Sequence, residues 1–273
     1  MSDATFDALA ALLKARSGLV IGPDKLYLLD TRLGPIMKRE GLRDLAALAA
    51  RVRVAPTLER EVVEAMTTNE SLFFCDGKPF QHVAQHLPVL HASRPPDTPL
   101  RFWSAAASSG QEAYSLAMLL VEQRALLGGR PLQIVGTDIS REQMARARSG
   151  VYTQFEVQRG LPMQRLVRHF IKCQSNWQIS AELRAMVDFR EWNLLSDLSP
   201  LGSFDVVFCR NVLIYFDAPT KTVVLEAIAR RMAPDGVLHL GGAETVIGLT
   251  NCFKPVDGQR GAYVKSFNPP ATK

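Results

Sequence analysis

A doubly wound α/β sheet preceded by a small all-helical domain is the fold class this sequence predicts, on three observations. Apolar residues recur at helical spacing from Thr5 to about Met66, with no strand-like run among them. From about residue 100, short runs rich in β-branched and aromatic residues alternate with helix-length periodic segments, the pattern of a parallel sheet joined by crossover helices. A length of 273 residues exceeds the commonest single-domain size, which favours two unequal domains.

The helical part reads FDALAALLKARSG, DKLYLLDTRLGPIMKRE and then the periodic set Leu58, Val62, Val63 and Met66, punctuated by Gly18, Gly22-Pro23, Gly41 and Pro56. This spacing predicts three or four short helices within residues 1–80. HLPVLHASRPPDTPL carries four prolines and predicts a linker over 81–96. The sheet domain then spans 97–273, with strands in LRFWSA, LQIVGTD, VDFREWN, FDVVFCRN and GVLHLGG. The tail FKPVDGQRGAYVKSF has a turn followed by an alternating run and predicts a hairpin at the sheet edge. HFIKCQSNWQISAELRAMVDF offers two or three short strands where one crossover helix is expected, so a small antiparallel β-subdomain is predicted at about 168–190.

With 47% hydrophobic and 22% charged residues, the chain has the composition of an ordinary globular protein. No stretch approaches the ~20 apolar residues that span a bilayer, and MSDATFDALAALLKARSG lacks the charged head and cleavage site of a signal peptide. The expectation is a cytoplasmic protein without membrane insertion. Cys75, Cys173, Cys209 and Cys252 are far apart and form no C-x-x-C pair, so they read as reduced thiols, with neither a metal site nor a disulfide framework. A net charge of +5 is mild and points to an acidic partner.

In a doubly wound sheet, ligands sit beyond the carboxyl ends of the strands. After RFW comes SAAASSGQE, where small residues let backbone approach a ligand and Gly110 can adopt positive φ. Neither G-x-G-x-x-G nor the Walker pattern G-x-x-x-x-G-K-[ST] is present, which counts against phosphoryl transfer. After LQIVGT comes Asp138, suited to accept hydrogen bonds from both ribose hydroxyls of an adenosine. It stands somewhat beyond the usual offset of about 20 residues. The alternative is an N-cap for SREQMARAR, a place that Ser140 can also fill.

Glu112 opens a helix, where the macrodipole stabilises an acid. A pyrophosphate there would be repelled by that carboxylate, whereas the ammonium and sulfonium of S-adenosylmethionine would be attracted, so this cofactor is favoured over a nicotinamide dinucleotide. FDVVFC ends in Arg210-Asn211, with Tyr215 a turn further on. An arginine is costly to bury unpaired, so Arg210 is expected to face a cleft, with an internal salt bridge as the alternative. Asn193, after VDFREW, could reach an adenine edge or a backbone group.

Taken in order, TTNESLFF, FWSAAASSGQEAYSLAM, GTDIS, RSGVY, RGLP, FDVVFCRNVLIYF and PDGVLHLGGAE resemble the chemotaxis receptor methyltransferases of the CheR family over nearly the whole chain. The resemblance implies a Rossmann-like class I methyltransferase sheet with an inserted β-subdomain behind an all-α domain. It further implies S-adenosylmethionine-dependent methylation of chemoreceptor glutamates, giving glutamyl methyl esters and S-adenosylhomocysteine. Carried over by motif, the cofactor contacts fall on Asn69, Ser71, Cys75, Glu112, Asp138, Asn193, Leu194, Cys209, Arg210 and Asn211, and the catalytic side on Arg210 and Tyr215. Ser71 replaces the usual threonine and keeps a hydroxyl, and Ala113 replaces a proline. More consequentially, the family's FFRD is FFCD here, and Cys75 cannot supply a planar charged fork.

The departure at Cys75 keeps open a catalytically weak S-adenosylmethionine-binding regulator, or a methyltransferase with another acceptor. A nucleic-acid methyltransferase is disfavoured: adenine-N6 enzymes carry Asn-Pro-Pro-aromatic at a strand end, whereas Asn268-Pro269-Pro270 precedes Ala271 in the tail. Between 32 and 53, Arg32, Lys38, Arg39, Arg43, Arg51 and Arg53 face only Glu40 and Asp44. That run is either a solvated face or a docking surface for the acidic methylation helices of a receptor. The segment around Gln174-Ser175-Asn176 is short and lacks glycine, which points to independence from a receptor tether peptide.

Overall fold

The computed structural model describes residues 3–266. The chain divides into two compact units, the first comprising 1–68 with 215–220 and the second 69–214 with the residues from 221 onward. The Asn268-Pro269-Pro270 motif lies outside the described residues.

In the first unit the apolar periodicity folds into α1 (Asp3–Ser17), α2 (Leu26–Arg39), α3 (Leu45–Val52) and α4 (Pro56–Met66). Asp44 caps α3 by accepting from Ala47 N at 2.8 Å, and Pro56 sits in the first turn of α4, where its missing N–H costs nothing. Leu9, Leu13, Leu29, Leu33, Leu48 and Val62 are buried between these helices. Arg32, one of the six cations of the basic run, is consumed structurally. Its Nη1 donates to Met66 O at 2.7 Å and Thr67 O at 2.9 Å, satisfying carbonyls that the end of α4 leaves orphaned.

The second unit runs α5 (Lys78–Ser93), β1 (Leu100–Ala105), α6 (Gln111–Glu122), β2 (Leu132–Asp138), α7 (Arg141–Ser149), β3 (Val151–Thr153), α8 (Gln154–Gln158), α9 (Met163–His169), β4 (Phe170–Cys173), β5 (Asn176–Ile179), α10 (Ala181–Ala185), β6 (Val187–Glu191), β7 (Phe204–Cys209), α11 (Ala218–Arg230), β8 (Met232–Leu240), β9 (Phe253–Val256) and β10 (Gln259–Lys265). Seven strands form one sheet in the order β6-β2-β1-β7-β8-β10-β9. The first five pair in parallel, and β10 is antiparallel to both β8 and β9. The order reverses beside β1, which places the loops after β1, β2 and β7 at the switch point where doubly wound sheets bind ligands. Every residue of β7 is buried, as expected of a strand covered on both faces, and its one charged residue, Asp205, accepts from Arg94 Nη2 at 2.7 Å and Arg101 N at 2.8 Å.

Three boundaries differ from the sequence expectation. The helical unit ends at residue 68 rather than 80, since 69–80 belong to the second unit. Residues 81–96 are no linker: α5 occupies most of them, and Phe80, Val83, Leu87 and Leu90 are buried in the core of the sheet unit. Pro79 lies in the first turn and Pro88 inside the helix, and the buried stripe offsets the hydrogen bond that Pro88 forgoes. Truncating Leu87 to Ala would cost about 2–5 kcal/mol. The inserted subdomain begins earlier than 168, because its sheet has the order β3-β5-β4 and starts at Val151. Residues 187–190 belong instead to β6, paired with β2.

Candidate active site

The loop between β1 and α6 is tightly wound, with Ala106, Ser108 and Gly110 at φ of 60°, 49° and 94°. Ala107 N donates to Thr137 O at 2.8 Å, and Gly110 N to Ala107 O at 2.9 Å. A Cβ on Gly110 would lie 2.9 Å from Phe189 Cζ and 3.0 Å from Ala147 Cβ, so conformation and space both demand glycine there. Ser108 Oγ donates to Asn69 O at 2.8 Å, and Tyr152 Oη to Ser109 O at 2.7 Å. These bonds tie the loop to the NESLFFC segment and to the β-subdomain.

At the end of β2, the Asp138 carboxylate accepts from Ser108 N at 2.8 Å on Oδ2 and from Ser140 N at 2.9 Å on Oδ1. The helix cap belongs to Ser140, whose Oγ accepts from Gln143 N at 3.1 Å. Asp138 is thus held rigidly between two loops and is not the cap of α7. Trp192 N donates to Asp138 O at 2.8 Å, which brings the turn after β6 alongside. That turn is closed by Leu195 N donating to Asn193 Oδ1 at 2.9 Å and by Ser196 Oγ donating to Asn193 O at 2.6 Å, with Leu194 buried beneath it.

Glu112 opens α6 in a buried position, where Ser104 Oγ donates to its Oε1 at 2.8 Å and Arg210 Nη1 to its Oε2 at 3.1 Å. The other arm of the guanidinium pairs with Asp76. Arg210 does not face a cleft: its side chain is 2% exposed, because two carboxylates pair it inside the unit. Paired in this way, an arginine can be buried at tolerable cost. Burial pushes the Glu112 carboxyl up from its ordinary value, opposed by the Arg210 charge and the Ser104 hydrogen bond. Burial alone would lower the Arg210 guanidinium, but Glu112, Cys75 and Asp76 outweigh it and hold the cation more firmly. Two carboxyl groups thus pair with one guanidinium, and the buried Arg210 Nε has no hydrogen-bond partner among the described residues.

The NESLFFC segment reaches this cluster through an aromatic anchor. Phe73 packs edge-on against Tyr152 and Phe170, with ring centroids 5.0 and 5.5 Å away, and Phe74 N donates to Ser115 Oγ at 2.9 Å. Phe74 and Asp76 both have left-handed φ, 48° and 62°, which turns Cys75 and Asp76 toward Arg210. Burial raises the Cys75 thiol, with the Arg210 charge opposing, so the group is a neutral thiol and a poor nucleophile near pH 7. Ser71 is half-buried in the same segment.

Cys209, at the end of β7, is fully buried, and burial with the charges of Glu244 and Glu112 drives its thiol pKa well up. Asn211 is exposed with φ of 60°. Tyr215 belongs to the first unit, where its carbonyl accepts from Val20 N at 2.9 Å. Sequence reasoning passed over Asp76 and Glu244. The signal for Glu244 was legible, because GGAE follows the strand run GVLHLGG as GTD follows LQIV.

Residues 69–262 match the family described as CheR methyltransferase, SAM binding domain, and residues 4–67 match CheR methyltransferase, all-alpha domain. The chain belongs to the CheR methyltransferase family. Similar relatives include Chemotaxis protein methyltransferase 1 of Pseudomonas aeruginosa, 40% identical over 97% of this chain and 98% of that protein. Chemotaxis protein methyltransferase Cher2 of Pseudomonas putida is 38% identical over 92% of this chain and 94% of its own length. Chemotaxis protein methyltransferase 1 of Vibrio cholerae is 37% identical over 97% and 98%.

As a member of the CheR family the chain is an S-adenosylmethionine-dependent methyltransferase. The donor set fits a cationic cofactor, since acidic side chains gather at the switch point: Glu112 in the first turn of α6, Asp138 at the end of β2 and Asp76 beside Arg210. Among the described residues no cluster of His, Cys, Asp and Glu could hold a metal ion, and no helix is long and apolar enough to cross a membrane.

Proposed function

We propose that this CheR methyltransferase methylates glutamate side chains on the cytoplasmic methylation helices of chemoreceptors, forming glutamyl methyl esters and S-adenosylhomocysteine. The observation that carries this reading is the cluster in which Glu112 and the half-exposed Asp76 pair the buried Arg210, beside the rigidly held Asp138. When bound, S-adenosylmethionine supplies a methyl group activated by its sulfonium. Asp138 holds the ribose hydroxyls, Glu112 neutralises the ammonium, and Asn69, Ser71, Cys75, Asn193, Leu194, Cys209 and Asn211 line the cofactor. Tyr215 orients the acceptor, and Arg210 serves that side from beneath, by fixing Glu112 and Asp76. A glutamate with an ordinary pKa of about 4.3 is already ionised at neutral pH, so no protein group has to remove a proton. The protein aligns the reactants and excludes water, effects that reach roughly 7–11 kcal/mol in well-oriented reactions.

The acceptor side is lean in cations because Cys75 stands where the family carries arginine. Arg210 is the guanidinium that remains beside it. Receptor helices dock on the basic face of the first unit. Lys38, Arg51 and Arg53 are exposed there and have no ion pair among the described residues, whereas Arg39 is paired with Glu40 and Glu61. The hairpin of β4 and β5 turns through Gln174 and Ser175 alone, Gln174 at φ of 55°, which supports action without a tether peptide. The protein works in the cytoplasm.

The test is incubation with methyl-labelled S-adenosylmethionine and a purified receptor cytoplasmic fragment. Alkali should release the label from the receptor as methanol, the signature of a carboxyl methyl ester. Cofactor binding without transfer would overturn the enzymatic reading, and alkali-stable label would overturn the choice of acceptor.

A further inference from the structure

Glu244 follows β8 and is buried. A turn closed by Glu244 N donating to Gly241 O at 2.9 Å folds its carboxylate back over the end of the sheet. Four backbone amides donate to it. Oε2 accepts from Gly241 N at 2.7 Å and Asn211 N at 2.8 Å, and Oε1 accepts from Val212 N at 3.0 Å and Ile214 N at 3.3 Å. Three of these donors lie in the segment that follows β7, next to Arg210. A carboxylate that accepts several N–H bonds makes charge-assisted contacts stronger than neutral ones, and no neutral side chain of that size offers four acceptor sites without a donor among them.

The neighbours of Glu244 are fitted to it. Asn211 holds a left-handed φ of 60°, a sparsely populated conformation for a residue with a Cβ. A Cβ on Gly241 would stand 2.8 Å from Glu244 Oε2, 2.9 Å from Asn211 Oδ1 and 3.0 Å from Asn211 N. Position 241 therefore has to lack a side chain for the carboxylate to reach the segment.

We infer that Glu244 is a positioning residue for methyl transfer, the anchor through which the loop after β8 fixes Asn211, Val212 and Ile214 and so sets the register of the Arg210-Asn211 segment. The inference rests on reading that segment as part of the cofactor and acceptor site. Glu244 touches neither reactant and acts through the backbone it holds.

Glu244→Gln keeps the volume but turns one acceptor oxygen into a donor that faces two N–H groups. Amide hydrogen exchange of residues 211–214 should rise at least tenfold in this variant, while β7 and β8 stay as protected as in the wild type. Turnover on a receptor fragment should fall at least tenfold, with KM for that fragment within threefold. Gly241→Ala, which leaves the charge in place and pushes the carboxylate aside, should reproduce both changes. Unchanged exchange at 211–214, or unchanged turnover, in either variant overturns the inference. So does exchange that rises equally throughout β7 and β8, which marks a general loosening. Failure of the underlying reading shows separately, as a wild-type protein that binds no S-adenosylhomocysteine in calorimetry, and the exchange measurement still judges the anchor.

Discussion

Glu112 Oε2 accepts a hydrogen bond from Arg210 Nη1 at 3.1 Å, joining a helix start to a strand end across the switch point of the sheet. Removing the Glu112 charge leaves a guanidinium that is 2% exposed with only the half-exposed Asp76 as counter-ion. Breaking a buried pair from one side costs about 3–5 kcal/mol. At ~2–4 °C per kcal/mol, Glu112→Gln should lower Tm by about 6–20 °C in scanning calorimetry. Losing a hydrogen bond to a charged group, worth ~1.5–3 kcal/mol, should also weaken S-adenosylhomocysteine binding by about 10- to 100-fold.

Asp138 ties Ser108 N and Ser140 N through separate oxygens. Asp138→Ala should weaken S-adenosylhomocysteine binding by at least about tenfold in titration calorimetry, since the variant loses a charged acceptor and frees two loops at once. Unchanged affinity would remove Asp138 from the cofactor site.

The four thiols differ in accessibility. Cys173 is exposed, Cys75 intermediate, and Cys209 and Cys252 buried. Burial also holds Cys75 in its neutral form, the unreactive one. Mass spectrometry after iodoacetamide treatment at pH 7.5 should find Cys173 alkylated first, Cys75 more slowly, and Cys209 and Cys252 only after unfolding. Rapid labelling of Cys75 would reveal an activated thiolate.

His82 and His86 on α5 and His239 on β8 form a cluster, with ring centroids 6.0 Å apart for His82 and His86 and 5.2 Å for His82 and His239. Burial lowers all three, helped at His82 by His86, opposed at His86 by Asp235, and helped at His239 by the charges of His82, Arg210 and His86. The folded state therefore takes up protons less readily than the unfolded chain, whose histidines titrate near 6.5. The sign follows: this contribution to stability is complete above about pH 6.5 and is lost as pH falls below it. Urea midpoints should drop between pH 7 and 5, and His239→Leu should flatten that drop.

Arg51 and Arg53 are exposed. Reversing both to Glu should raise KM for a receptor fragment severalfold with kcat within twofold. Added salt should erase the difference as the Debye length shrinks from ~8 Å at physiological ionic strength.

Much of the fold was legible in the sequence because a parallel sheet buried on both faces writes its strands as predominantly apolar runs, as in the VVFC of β7. Helix α5 was obscured by Pro79 and Pro88, although its buried residues Phe80, Val83, Leu87 and Leu90 keep a helical stripe. Three-residue β3 is too short for alternation to register. At the site, carboxylates at strand ends announced Asp138, and the same logic applied to GGAE would have found Glu244. The pairing of Arg210 with Asp76 joins residues 134 apart in sequence, and no local pattern announces such a contact. Burial cost and the strand-end position favoured a cleft for Arg210 over the internal salt bridge, and the structure shows the salt bridge.

The stretch 215–220, numbered within the catalytic half, is structurally a loan to the helical one. Lys14 pairs with Asp217 at 2.6 Å, and Phe216 lies against Gly18, where a Cβ would come within 3.0 Å of its ring. Cutting the gene between codons 68 and 69 therefore does not yield two self-sufficient modules. Anyone transplanting the front half onto another enzyme, to redirect it to a different receptor, would have to carry this six-residue splice along with it.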